Sequence, residues 1–239
     1  MLKKFILLSF IFLPSYHLPH DKTLSSEQPS SSSLSELSGE CLFEEMNLAG
    51  VVNFVAFQKA IAGYKCIEQK HKPILTLIDF SKPSTEKRLF VFDIEKKELL
   101  YSSVVSHGKN SGENYATSFS NKDGSYQSSL GFYLTENTYQ GRNGYSLILN
   151  GLEKGINDHA KQRAIVVHGA TYANPSVAKS IGRLGRSFGC PALPQSITKP
   201  IIDTIKEGSV LFIYANNKNY LANSSFLNHP QPTSISLAL

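Results

Sequence analysis

A chain of 239 residues with 41% apolar residues is long enough for one ordinary domain plus an appendage, and too apolar to stay disordered. Lysine and arginine outnumber aspartate and glutamate by 24 to 19, a formal charge of +5 that suits anionic surroundings such as wall polymer or lipid headgroups. No basic run reaches the density of a nucleic-acid-binding arm, and fourteen Phe and eleven Tyr against no Trp and two Met point to a β-rich core.

Lys3 and Lys4 precede an apolar run from Phe5 to Leu13 and then Pro14. A short basic stretch followed by such a run is the pattern of a secretory signal, and the run is too short to span a bilayer. Residues 1–19 are therefore expected to be a signal peptide or anchor, and the protein to be exported to the periplasm or cell envelope. Any membrane contact would run through this segment alone. No cysteine comes directly after the run, which argues against a lipoprotein signal. Residues 20–40 are Ser-rich, with Pro29 leading into four serines, and read as a linker.

Residues 41–72 read as an N-terminal helical segment, with Val51, Phe54, Val55, Ala56 and Ile61 on helical spacing and Gly63 as a stop. Residues 73–216 come next as the main domain. A strand is predicted over 74–78, and a β-hairpin from 88–94 and 98–107 around Glu95-Lys96-Lys97. Further short strands are predicted at Leu130–Thr135, Tyr145–Asn150, Ala164–His168 and Ser209–Tyr214, with a helix from Ile197 to Lys206 ended by Gly208. Residues 217–239 read as a tail. Many short strands with few helices predict a mainly β fold, a sandwich or barrel with small helices added.

The densest chemistry lies between Ala164 and Pro194. A buried-looking strand delivers His168 at its end beside Gly169, where a base is rigidly placed yet reachable from loops. Ser187-Phe188-Gly189-Cys190-Pro191 sets a thiol in a tight turn. Gly189 permits a backbone conformation other residues resist, and Pro191 stiffens the chain on the far side of the cysteine. Such a turn can aim the N–H groups of Gly189 and Cys190 at a developing oxyanion. A thiol attacks as its thiolate, and a nearby imidazole can take its proton and return it to a leaving amine. Each residue alone has an ordinary structural reading; together they point to a Cys–His acyl transferase or hydrolase. The three cysteines of the chain cannot all pair internally, and a Cys41–Cys66 bridge is left open.

The segments LIDFSKPSTEKRLFVFD at 77–93, SHGKNSGENYATSFSN at 106–121, SSLGFYLTENTYQGRNGYSL at 128–147 and GRLGRSFGCPALP at 182–194 resemble the L,D-transpeptidase catalytic domain, in its divergent murein branch. The signature of that family is a strand-borne His-Gly and, further along, a Ser/Thr-x-Gly-Cys turn. The resemblance implies a β fold, a triad of Cys190, His168 and the Gly169 carbonyl, and peptidoglycan stem peptides as substrate. It also implies a second stem or a wall-linked protein as acyl acceptor, carbapenems as inhibitors, and no cofactor. Two positions depart from the familiar pattern. Phe188 stands where a histidine usually precedes Gly-Cys, and Pro191-Ala192 come after the cysteine. Arg183 or Arg186 is expected to bind the anionic stem in place of the missing polar residues, with Ser187 beside them. The second His-Gly, at His107, is a further substrate-binding candidate, and Tyr133, Tyr139 or Tyr145 could bring a phenol to the cleft.

Rival readings are an L,D-carboxypeptidase acting on the same acyl-enzyme, and a non-catalytic wall-binding module. No His-x-x-x-His or Cys-x-x-Cys spacing appears, so no metal site is expected, and no Gly-x-Ser-x-Gly elbow marks a catalytic serine.

Overall fold

A computed structural model describes residues 38–228. The expected signal, most of the linker and the last residues of the tail lie outside them. The apolar periodicity of the N-terminal segment forms two helices, α1 (Gly39–Glu45) and α2 (Phe54–Cys66), where one was expected. Asn47 and Gly50 take left-handed conformations, breaking the helix, while Leu48 between them is buried. The Asn53 side chain then starts α2 by accepting the Val55 N–H at 3.0 Å. Gly63 is no stop. It lies inside α2, where a Cβ would stand 2.0 Å from Cζ of Phe132, so it admits close approach of helix and sheet.

Eight strands make one sheet: β1 (Ile74–Asp79), β2 (Leu89–Asp93), β3 (Glu98–Ser103), β4 (Gly131–Gly141), β5 (Gly144–Gly151), β6 (Val166–Gly169), β7 (Ala192–Leu193) and β8 (Val210–Tyr214). Their order is β3-β2-β1-β8-β4-β5-β6-β7, with parallel pairs only at β1–β8 and β6–β7. The hairpin β4–β5 is longer than expected, closing through Arg142 and Asn143 with Gly144 in a left-handed conformation. Chain beyond β3 crosses to the other edge: Ser106 pairs with Ala192, and Gly108 with Ser187. The sheet thus nearly closes on itself, the barrel-like form of the mainly β fold expected.

Strands β1, β2 and β8 are buried at every position, as continuous apolar strands are when both faces are covered. Helix α2 packs on β1 and β8, while α4 (Gln195–Ile205), which begins two residues before the predicted helix, packs on β1, β5 and β6. A short helix α3 (Pro175–Ile181) lies beyond β6 in the chain. The described part of the expected tail, residues 217–228, carries α5 (Lys218–Asn223), which is pinned to the body. The buried Glu153 carboxylate accepts from the Phe132 N–H at 2.8 Å and the Tyr220 hydroxyl at 3.1 Å, and also from Ser224. Cys41 and Cys66 are both free thiols. Among the described residues no helix is long and apolar enough to cross a membrane.

The tight α2–β4 contact sets the first prediction. Gly63→Ala forces the Phe132 ring to move and lowers unfolding stability by about 1–3 kcal/mol, read by urea denaturation.

Candidate active site

Strand β6 is a run of buried apolar residues ending at His168, and β7 lies parallel beside it with Ala192 opposite His168. Cys190 precedes β7 by two residues, which sets its sulfur against Val166 on the same edge. The Val166 N–H lies 3.5 Å from Sγ, and the thiol points to the Ala164 carbonyl at 3.6 Å. Thiol and imidazole open into one cavity of about 370 Å³, lined also by Arg163, Tyr172, Arg186 and Phe188. Among the described residues no hydrogen bond joins the two side chains directly.

The imidazole tautomer is set by its partner. Nδ1 of His168 lies 3.0 Å from the Gly169 carbonyl, which can only accept, so Nδ1 carries the proton and Nε2 is the free base. Burial lowers the basicity of His168, opposed by that carbonyl, and burial raises the pKa of the Cys190 thiol, opposed by the Val166 N–H and the Arg163 cation. At neutral pH the resting pair is therefore thiol and neutral imidazole.

The turn itself is held by Ser187. Its Oγ accepts from the Gly189 N–H at 3.1 Å and donates to the Cys190 carbonyl at 2.6 Å. Ser187 lines the cavity and also shapes the turn. One expectation changes here: the Gly189 N–H is engaged within the turn, so that donor does not face an oxyanion. Gly189 is needed for its conformation instead: φ is +130°, and a Cβ would stand 2.9 Å from both the Gln127 carbonyl and Ile165. The Cys190 N–H adds to the influences that oppose the rise in the thiol pKa. Tyr172, whose pKa burial and the nearby thiol push up to about 12, brings a phenol to the cavity.

None of the three tyrosines expected at the cleft lines this cavity. Tyr133 is buried with its hydroxyl donating to the Ser129 carbonyl at 3.0 Å, Tyr145 donates to Asp203 at 2.7 Å, and Tyr139 is exposed. Tyr172 and Arg163 went unnoticed in the sequence. Arg163 stands just before β6 and clamps the 120–129 loop, donating to the Ser120 and Gln127 carbonyls at 2.8 Å each. An arginine leading into a buried strand was the available signal.

Both expected arginines are ion-paired to Glu113. Arg183 reaches it through Nε at 2.9 Å and lies outside the cavity; Arg186 reaches it through Nη1 at 2.7 Å and lines the cavity. Nη1 of Arg186 also donates to the Gly112 carbonyl at 2.9 Å.

The family match covers residues 49–214 and is the L,D-transpeptidase catalytic domain. The chain belongs to that family. No curated protein sequence matches it. Among solved structures it is similar to an L,D-transpeptidase from Mycobacterium smegmatis, at 14% identity over 60% of this chain and 59% of that one, with a TM-score of 0.37. Another is the L,D-transpeptidase (Yku) from Stackebrandtia nassauensis, at 15% identity, covering 76% of this chain and 77% of that one with a TM-score of 0.36. A third is the helical cell shape determining protein Pgp2 from Campylobacter jejuni, at 13% identity over 67% and 56% with a TM-score of 0.42. The chain spans about three-fifths of the length of the mycobacterial structure.

In this L,D-transpeptidase domain His107 is buried, 1% exposed, and does not line the Cys190 cavity; its expected contact with substrate gives way to a structural position. Nη2 of Arg88 donates to its Nδ1 at 2.8 Å, which leaves Nε2–H to donate to the Gly112 carbonyl at 3.3 Å. Arg88 is wholly buried, donating to the Val105 carbonyl at 3.0 and 2.7 Å and to the Lys82 carbonyl at 3.0 Å. His107 and Arg186 thus converge on one carbonyl, the first from the core and the second from the cavity wall. Among the described residues no group of three or more His, Cys, Asp or Glu could hold a metal ion.

Burial and the Arg88 cation lower the pKa of His107 from 6.5 to about 4. A group that stays neutral in the folded state but protonates at 6.5 when unfolded stabilises the fold above that pH and loses this as pH falls to its folded value. Between pH 6.5 and 4 the wild type loses about 3 kcal/mol from this group, and His107→Phe removes that component of the slope. Urea denaturation across the range, wild type against variant, measures the difference.

Proposed function

We propose that this chain is a peptidoglycan-modifying cysteine acyltransferase, a murein L,D-transpeptidase acting through an acyl-enzyme on Cys190 with His168 as base. The observation that carries it is that Cys190, two residues ahead of β7, and His168, on the neighbouring strand β6, line one cavity, with the Gly169 carbonyl fixing Nε2 as the free nitrogen.

The thiol proton passes to His168 Nε2 as sulfur attacks the carbonyl of the L-centre third residue of a tetrapeptide stem. The oxyanion lies against the Cys190 N–H and the Tyr172 hydroxyl. Collapse breaks the C–N bond, His168 protonates the departing D-alanine amine, and a thioester remains. An acceptor amine, from another stem or a wall-linked lysine, then attacks the thioester. Its proton goes to His168, the C–S bond breaks, and the thiolate recovers that proton. Water in the amine's place yields the trimmed tripeptide instead. Arg186, on the cavity wall, suits an anionic stem. The basic start and apolar run of the N-terminus support export to the periplasm or cell envelope, where this polymer lies.

Intact-mass spectrometry with a tetrapeptide stem tests the reading. The expected result is a single acyl adduct that Cys190→Ala abolishes and that forms about 10²–10⁴ times more slowly in His168→Gln. A wild type that stays folded and gains no adduct overturns it and leaves a binding module.

The resting pair also sets the pH profile of kcat/KM. Lowering pH protonates His168 and removes the base, and its depressed pKa moves that loss below the ordinary 6.5. Raising pH removes the proton needed by the leaving amine, and the elevated thiol pKa moves that loss above 9.0. An acid limb centred above 6.5 contradicts the assignment of His168.

A further inference from the structure

Phe188, which replaces the histidine usual before Gly-Cys, is 66% exposed, more than any other large apolar side chain among the described residues. It is not loose. Its ring packs on Tyr126, itself 41% exposed, with centroids 4.9 Å apart. Nζ of Lys109 lies 4.3 Å from the Tyr126 centroid and 4.7 Å from that of Phe188, bracing both. Among the described residues Lys109 meets no carboxylate within ion-pair distance.

The two rings stand at the mouth of a second cleft of about 300 Å³, lined with Asp123 and Gly124 and sharing Phe188, Arg163 and Ile165 with the Cys190 cavity. An aromatic pair held open at such a place marks a binding surface. The charges around it narrow the ligand. A simple anion would meet the Asp123 carboxylate, and a simple cation would meet Lys109 and Arg163. A neutral ring with apolar C–H faces and hydroxyl or acetamido groups on its edge suits both the aromatic faces and the mixed donors and acceptors.

We propose that Phe188 and Tyr126 form a saccharide subsite that stacks an amino-sugar ring of the wall glycan, with Lys109 and Asp123 bonding its edge. The proposal rests on the peptidoglycan reading above, since the glycan is what the stem peptide is attached to. Three extended residues separate the sugar from the reacting carbonyl, a reach of roughly 10 Å. Phe188 lies two residues from Cys190 in the chain, so a stem seated in the cavity delivers its sugar to this neighbourhood.

The test compares two donors on the full chain: a free tetrapeptide, and the same tetrapeptide carrying its disaccharide. Wild type prefers the glycosylated donor in kcat/KM. Tyr126→Ala reduces that preference at least tenfold, and Tyr126→Phe, which keeps the ring, restores it. Equal losses on both donors, or no loss on either, overturn the subsite. If Cys190 takes up no acyl group from either donor, the enzymatic reading fails, and a separate measurement decides the subsite. Peptide-free disaccharide is titrated against Cys190→Ala protein by ligand-observed NMR. Binding that Tyr126→Ala abolishes sustains the proposal, and no binding sinks it.

Discussion

The closure of the sheet across its two edges is the constraint on which the reactive centre depends. Ser106 donates to the Ala192 carbonyl at 2.8 Å, Ser187 donates to the His107 carbonyl at 2.9 Å, and Lys109 donates to the Ser187 carbonyl at 2.8 Å. These bonds grip the segment carrying Cys190 on both sides of the turn, while β6 holds it from the other direction. Each is worth only about 0.5–1.5 kcal/mol net, but together they leave the turn no room to slide. A one-residue slip would carry Cys190 off the edge that faces His168. Cys190 is therefore placed by backbone pairing, and its side chain need not bond His168 to hold its position.

Closure has an electrostatic consequence inside the barrel. The segment that crosses over brings His107 into the core, where its neighbour is a guanidinium that contacts no carboxylate among the described residues. Burial pulls the Arg88 pKa down to about 9, and Asp79 opposes that only through space. Asp79 itself receives the Ser81 N–H at 3.0 Å on one oxygen, while the other is buried without a partner among the described residues. Carbonyls of Lys82 and Val105 and the lone pair of His107 share the cation in place of an ion pair. A neutral histidine is the one ring that accepts from Arg88 and donates to Gly112 at once. Gly112 holds φ +147°, and a Cβ there would stand 2.1 Å from the Tyr115 carbonyl, so the position takes glycine alone. Core and cavity wall are joined at that one carbonyl.

Local chemistry alone decided which elements could be read from the sequence. The strand from Ala164 to His168 was legible because its apolar run ends in a single polar residue, and Cys190 because glycine and proline mark its turn. The helix break was missed because Asn47 and Gly50 act against a periodicity that continues through them. Gly63 looked like a stop because nothing local reveals Phe132 on the far side. His107 looked like a site residue because His-Gly after a strand has the same local form as His168-Gly169. Only the closure decides that one ring faces the cavity and the other the core. Arg163 and Tyr172 are brought to Cys190 by the fold, and the cleft beside Phe188 is completed by Asp123, Gly124 and Tyr126 from a distant stretch of the chain.

The neutral resting pair reconciles exposure with reactivity. Thiolate is the form that oxidants attack, so a cysteine at the mouth of an open cavity is safest while protonated. Burial against Val166 and Ala164 keeps it so, and the Arg163 cation, engaged by the 120–129 loop, moderates the rise in pKa without reversing it. A thiol of raised pKa yields a more nucleophilic thiolate once the proton leaves, since intrinsic reactivity falls as pKa falls. The burden then shifts to His168, whose own basicity burial has lowered. In the proposed reaction the proton moves as attack proceeds and the sulfur charge passes to the substrate oxygen. An arrangement of this kind gives little reaction with passing electrophiles and favours a ligand seated long enough to accept the charge.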